Sequence, residues 1–198
     1  MVEKHWDKIS VDHVYYNFPS IQYCSREGRG YDHAVEEFFA NLPRFAEKVI
    51  IVYGFDSYDF GEAHVDILYS PNSEMQCNWI NNSSVVFMLT LGGKKVLFLG
   101  DCGVEEGDRI LDLYKGTDTL KADYVQMAHH GQNGVEKRFY EVVAPTGCLW
   151  CTPDWLWNND RGLGYNTHTY KTVIVRGWME ELGVEASYTL ADGDCIFT

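Results

Sequence analysis

The segment that most limits what this chain can fold into is Lys94-Lys95-Val96-Leu97-Phe98-Leu99-Gly100-Asp101, followed about thirty residues later by Ala128-His129-His130-Gly131. Four large apolar residues between lysines and a glycine have the length and composition of a buried strand. Burying that strand leaves Asp101 at its carboxyl end, the edge where open α/β sheets gather ligand-binding groups. The run Ala122-Asp123-Tyr124-Val125-Gln126-Met127-Ala128 reads as a second strand and ends in two histidines. A carboxylate and an imidazole pair at strand ends form a donor pattern for a divalent metal, since both are common ligands of such ions.

The rest of the chain supplies the elements to surround these strands. Lys8–Tyr16 opens with β-branched residues and is expected to be a strand. A helix is expected from Asp32, with Ala34, Val35, Phe38, Phe39 and Leu42 on one face and Pro43 bending or ending it. Val49–Tyr53 and His64–Tyr69 read as strands, the first of them buried. Val85–Leu91 turns through Gly92-Gly93 into the central strand as a tight hairpin. Helices are expected over Val104–Tyr114 (Ile110, Leu111 and Leu113 inward), Val135–Val143 and Tyr170–Leu182, the last closed by Gly183. Cys148–Thr152 is a further strand, and Glu185–Leu190 with Cys195–Thr198 a closing hairpin. Strands and helices alternate through the second half. The class is therefore α/β (α+β) with a mixed sheet, in one domain spanning 1–198.

Composition excludes some functions. With 29 Asp and Glu against 16 Lys and Arg, the formal charge is −13. A chain so acidic, with no run of four basic residues, is repelled by phosphate backbones, so binding to duplex nucleic acid is not expected. No segment approaches the ~20 apolar residues of a membrane span. Residues 1–8 lack the apolar core of a signal peptide, which implies a cytoplasmic protein. The six cysteines are too sparse for a disulfide framework. Cys148 and Cys151 would point to opposite faces of their strand, so they are expected to be packing residues and not half of a zinc site.

Each candidate residue has two readings. Asp101 either binds a metal ion or caps the helix beginning near Val104. At least one of His129 and His130 faces a polar site, or both are satisfied by backbone carbonyls. His168, in Tyr165-Asn166-Thr167-His168, is a third imidazole, a proton donor, a substrate contact or simply a helix-start residue. His5, His13, His33 and His64 have no partner at ligand spacing and are expected at the surface or in the core.

The order Asn82-x-Ser84, Phe98-Leu99-Gly100-Asp101, His129-His130-Gly131, Tyr165-Asn166-Thr167-His168 resembles the metallo-β-lactamase fold. More narrowly, it resembles the metallo-hydrolase domain of competence-type DNA-uptake channel proteins, over about residues 48–198. The resemblance implies the C-terminal part of an αβ/βα sandwich, a mixed sheet flanked by helices with a zinc-type site at the sheet edge. Asp101 and one of His129 and His130 would be metal ligands for Zn2+ or Mn2+, with His168 matching a later histidine near the site and standing as the candidate to protonate the leaving group. The implied reaction is metal-assisted hydrolysis, of a phosphodiester or another small-molecule substrate. The family's upstream His-x-His-x-Asp-His motif is absent. Lys8 and Ser10 precede Asp12-His13, and Gly28 and Gly30 precede Asp32-His33, where that motif has histidines. A truncated domain of this kind exposes an apolar sheet face, so a homo-oligomer or a separate N-terminal half is the expected partner. The alternative is a non-catalytic binding or assembly module.

Overall fold

The computed structural model describes residues 11–28, 30, 32–45, 48–71 and 74–193. The beginning of the Lys8–Tyr16 strand and the returning Cys195–Thr198 strand lie outside the described residues.

The chain opens with a small parallel pair, β1 (His13–Tyr16) and β2 (Lys48–Ile51), joined through α1 (Ile21–Cys24) and α2 (Asp32–Phe45). Ser20 caps α1 by accepting a hydrogen bond from the Tyr23 amide, which satisfies one of the free donors of the first turn. Pro43 lies inside the last turn of α2, which ends two residues later. β2 was expected to be buried, but Val49 and Ile51 are largely exposed. Two strands cannot cover both of their own faces.

The main sheet has seven strands in sequential order: β3 (Ser57–Phe60), β4 (Ala63–Tyr69), β5 (Val86–Leu91), β6 (Lys94–Phe98), β7 (Tyr124–Gln126), β8 (Gly147–Trp150) and β9 (Ala186–Thr189). The first four are antiparallel neighbours, and β6 to β9 run parallel. Gly92 and Gly93 close the β5–β6 hairpin with φ of +58° and +76°, the pair of positive values that a two-residue turn of matching twist requires. Parallel pairing needs crossovers. These are α3 (Val104–Leu113), α4 (Lys137–Val143) and, after the short α5 (Asp154–Trp157), α6 (Thr172–Glu181). The expected mixed sheet flanked by helices is the observed architecture.

All three crossover helices pack on one face. Val86 and Met88 of β5, Leu97 of β6, Val125 of β7 and Trp150 of β8 join Ile110, Phe139, Tyr140, Val175 and Met179 in one buried cluster. Each such side chain contributes about 1.5–3 kcal/mol of transfer free energy. Ile110 is inward as expected, whereas Leu113 is 47% exposed because the core-facing side of α3 runs through Ile110, Leu111 and Tyr114. The opposite face carries Phe87 stacked on Phe98, their centroids 4.7 Å apart, with Leu89, Val96 and Tyr124 half-buried beside them. Tyr15 of β1 reaches Tyr58 and Phe60 at centroid distances of 4.8 and 5.2 Å and shares a cavity with Val52, Val65, Ile67 and Phe87, so the small sheet lies over the β3–β5 end of that face. No helix among the described residues is long and apolar enough to cross a membrane.

Candidate functional site

β6 and β7 are parallel neighbours, so their carboxyl ends lie side by side and bring Asp101 and the two histidines together. Asp101 sits in a turn with left-handed Gly100 (φ +54°). Two side chains hold that turn, and a third braces the start of the helix after it. Gln126 Oε1 accepts from the amides of Leu99 and Gly100 at 3.0 and 2.8 Å. Ser84 Oγ accepts from the Asp101 amide at 3.0 Å and donates to Asn81 O at 2.9 Å. Buried Asn82 donates to Cys77 O at 2.8 Å and accepts from the Glu106 amide at 3.3 Å. The Asp101 side chain does not cap α3, whose N-cap is Gly103 without a side-chain bond. The capping alternative is thereby removed.

His129 and His130 occupy a turn in which both have left-handed backbone, with φ of +49° and +59°. For residues bearing a Cβ this conformation costs about 1–2 kcal/mol each, strain retained where surrounding contacts over-determine it. Those contacts are specific. The His129 amide donates to Gly100 O at 2.9 Å, tying the histidine turn to the aspartate turn. Thr152 Oγ1 donates to His130 O at 2.6 Å. Gly131 is the third left-handed residue in succession, and a Cβ there would fall 2.2 Å from the Trp150 ring.

The His130 ring is held at its Nδ1 end. Its Nδ1 lies 2.9 Å from Cys151 O, a carbonyl that can only accept, so Nδ1 carries the proton. Its Nε2 then faces Asp101 Oδ1 at 3.6 Å, beyond hydrogen-bond length. Nε2 is thus the nitrogen turned toward the carboxylate, and both side chains are nearly half exposed. Two ligands sharing a tetrahedral zinc are separated by about 3.4 Å, from bond lengths of about 2.1 Å. The spacing therefore fits two donors on one ion. The number of donors does not complete a site: among the described residues no group of three or more His, Cys, Asp or Glu side chains is placed to hold a metal. A zinc centre takes at least three protein ligands. His129 is turned differently, with Nδ1 3.5 Å from Asn81 Nδ2. Burial pushes its pKa down, opposed by the Asp101 charge.

His168 belongs to a neighbouring cluster and not to this pair. Its ring stacks on Tyr170 at a centroid distance of 4.4 Å, and its carbonyl accepts from Asn159 Nδ2 at 2.8 Å. No contact joins it to Asp101, His129 or His130 among the described residues. The loop that carries it follows β8 and α5 in the chain, and the end of β8 supplies the Cys151 and Thr152 contacts to His130. Cys148 is buried and Cys151 exposed. Their opposite faces are as expected, but only Cys148 is a packing residue. His64, expected to lack partners, bridges Asp59 and Asp66 at 2.6 and 3.1 Å on the exposed β3–β4 hairpin.

Gln126, Ser84 and Thr152 were not singled out as site residues by sequence reasoning. Gln126 offered a signal, an amide near the end of an otherwise apolar strand. Ser84 enters only as part of the Asn82-x-Ser84 motif, with no role attached, and Thr152 offered no signal, since hydroxyls at strand ends are ordinary turn residues.

No protein-family model and no curated protein matches this chain. Among solved structures, a mutant of the CmlA β-hydroxylase is similar at 12% identity and a TM-score of 0.49, over 90% of this chain and 43% of that one. CmlA from Streptomyces venezuelae, a diiron β-hydroxylase, is similar at 10% identity and 0.45, over 90% of this chain and 44% of its own. YhfI from Bacillus subtilis, a metallo-β-lactamase fold protein, is similar at 11% identity and 0.47, over 90% of this chain and 74% of its own. This chain thus spans less than half the length of the CmlA structures. At these scores the likeness is a loose one, and no residue role passes through it.

Proposed function

We infer that this chain carries part of the metal site of a hydrolase with a metallo-β-lactamase-like fold, with a phosphodiester as the favoured substrate. The observation that carries this reading is the His130 Nε2–Asp101 Oδ1 pair, two acceptors aimed at one point 3.6 Å apart on a strained turn. His130 is the imidazole ligand of this reading because its tautomer is fixed by Cys151 O, while His129 supports it from the adjacent position. Such an ion polarises a phosphoryl oxygen and lowers the pKa of bound water. Two donors do not hold it alone, so the missing ligands come from outside the described residues, and no catalytic step is derived through the ion. His168, one loop away, is the candidate proton donor to the leaving group.

A second reading, a binding or assembly module, is favoured by the half-covered sheet face and by the exposed Val49 and Ile51 of β2. A second copy or an N-terminal half seated there would both cover apolar surface and bring further ligands. The test is hydrolysis of bis(p-nitrophenyl) phosphate by the full chain with Zn2+ or Mn2+. Turnover lost in both Asp101→Ala and His130→Ala supports the hydrolase. Turnover that is absent, or indifferent to both substitutions, leaves the assembly module.

A further inference from the structure

The loop between α5 and α6 is built more firmly than a connection needs. Asp160 Oδ1 accepts from the amides of Gly162, Leu163 and Gly164 at 2.7, 3.0 and 2.9 Å, and those bonds lower its pKa. Asn159, 1% exposed, donates to Asn166 Oδ1 and His168 O, both at 2.8 Å. Asn159, Gly162, Gly164 and Asn166 all have positive φ. The frame holds outward an unusual group of side chains. Arg161 lies over the Trp155 ring at 5.1 Å and the Tyr170 ring at 5.9 Å, the two rings contacting edge to face at 5.9 Å. His168 stacks on the same Tyr170. Leu163 and Tyr165, 84% and 59% exposed, stand beside them.

In a chain of formal charge −13, a cation would be expected to pair with a carboxylate. Arg109, Arg138, Lys137 and Lys171 do so. Arg161 and Arg176 instead lie over aromatic rings, Arg176 with a further bond to Trp157 O, and no acidic partner of Arg161 lies among the described residues. Stacking orders the guanidinium plane while leaving its five N–H donors on the rim free, a fork that matches phosphate bidentately. Trp155 follows shortly after Cys151 and Thr152, the residues that fix His130.

We propose that Arg161, laid on Trp155 and Tyr170, is a substrate-binding residue that receives a phosphate group of an aryl- or nucleoside-type phosphate ester, with the exposed Trp155 and Tyr165 rings taking the flanking planar group. This deepens the hydrolase reading by naming the anion it recognises, but anion binding itself needs neither metal nor turnover.

The experiment titrates the full chain with phenyl phosphate in buffer containing a chelator, followed by tryptophan fluorescence and calorimetry. Wild type and His130→Ala are expected to bind alike. Arg161→Ala is expected to weaken binding at least tenfold, and Arg161→Lys to fall between, since it keeps the charge and loses the fork. Unchanged unfolding midpoints verify that the exposed substitutions leave the fold intact. The proposal is overturned if wild type does not bind, if Arg161→Ala binds within twofold of wild type, or if phenol or benzoate binds as tightly as phenyl phosphate. A chain that binds no metal yet shows Arg161-dependent phosphate binding refutes the hydrolase and keeps this site, so the two readings fail separately.

Discussion

Glu106 offers the sharpest test of how the ground beneath Asp101 is built. It lies in the first turn of α3, fully buried, and neither carboxyl oxygen has a partner of hydrogen-bonding geometry. The Cys102 thiol and the Ser84 amide lie near enough to offset only part of the burial cost, and the carboxyl pKa rises from 4.5 to about 8. The group is thus neutral in the folded protein at pH 7 and ionised in the unfolded chain. An acid with a raised folded-state pKa stabilises fully below its unfolded value and loses that contribution as pH rises toward the folded one. At about 1.4 kcal/mol per pH unit, wild type should lose up to about 4 kcal/mol from Glu106 between pH 5 and 9. That is a large share of the 5–15 kcal/mol typical of a domain. Glu106→Gln keeps the shape and cannot ionise. Urea unfolding of both proteins at pH 5, 7 and 9 should show the variant gaining on wild type by that amount, with the gain levelling off above pH 8. Burial, the largest cause raising the nearby Cys102 thiol, is common to both proteins, whereas the smaller contribution of the Glu106 charge is present in wild type alone. Parallel stability profiles for the two proteins would refute the reasoning.

Other outcomes follow from the same contacts. Gly131→Ala, which drives a methyl into Trp150 at a left-handed position, should cost about 2–4 kcal/mol in urea unfolding; a cost below 1 kcal/mol would show that the turn relaxes freely. Asn159→Ala removes two buried donor contacts and should cost about 2 kcal/mol, with faster hydrogen exchange confined to 158–168; uniform exchange would contradict a locally braced loop. Ile51→Glu should abolish any self-association seen by sedimentation, and a dimer indifferent to it would place the contact elsewhere.

The helix-bearing half was legible because its signals are local. The four-residue apolar run of β6, the Gly92-Gly93 turn and the Gly183 stop each carry their own chemistry, and each is where the spacing put it. Adjacency of Asp101 to His130 followed from two strand ends, but their 3.6 Å facing did not. It depends on Cys151 O selecting a tautomer from twenty-one residues away, a long-range contact with no local trace. The same limit explains β2, whose Val49-Ile50-Ile51 composition promised burial. Composition shows what a strand would bury, not whether the rest of the chain supplies a cover. The Arg161 platform was equally hidden, because two rings and a guanidinium meet only once Asn159 and Asp160 have folded the loop.

The account rests on Asp101 and His130 being two donors to one ion. Elemental analysis of the purified full chain after supplementation with zinc or manganese, beside Asp101→Ala and His130→Ala, tests this directly. Stoichiometric metal in wild type, lost in both variants, is the predicted result. No metal in wild type, or metal retained undiminished in either variant, would contradict it.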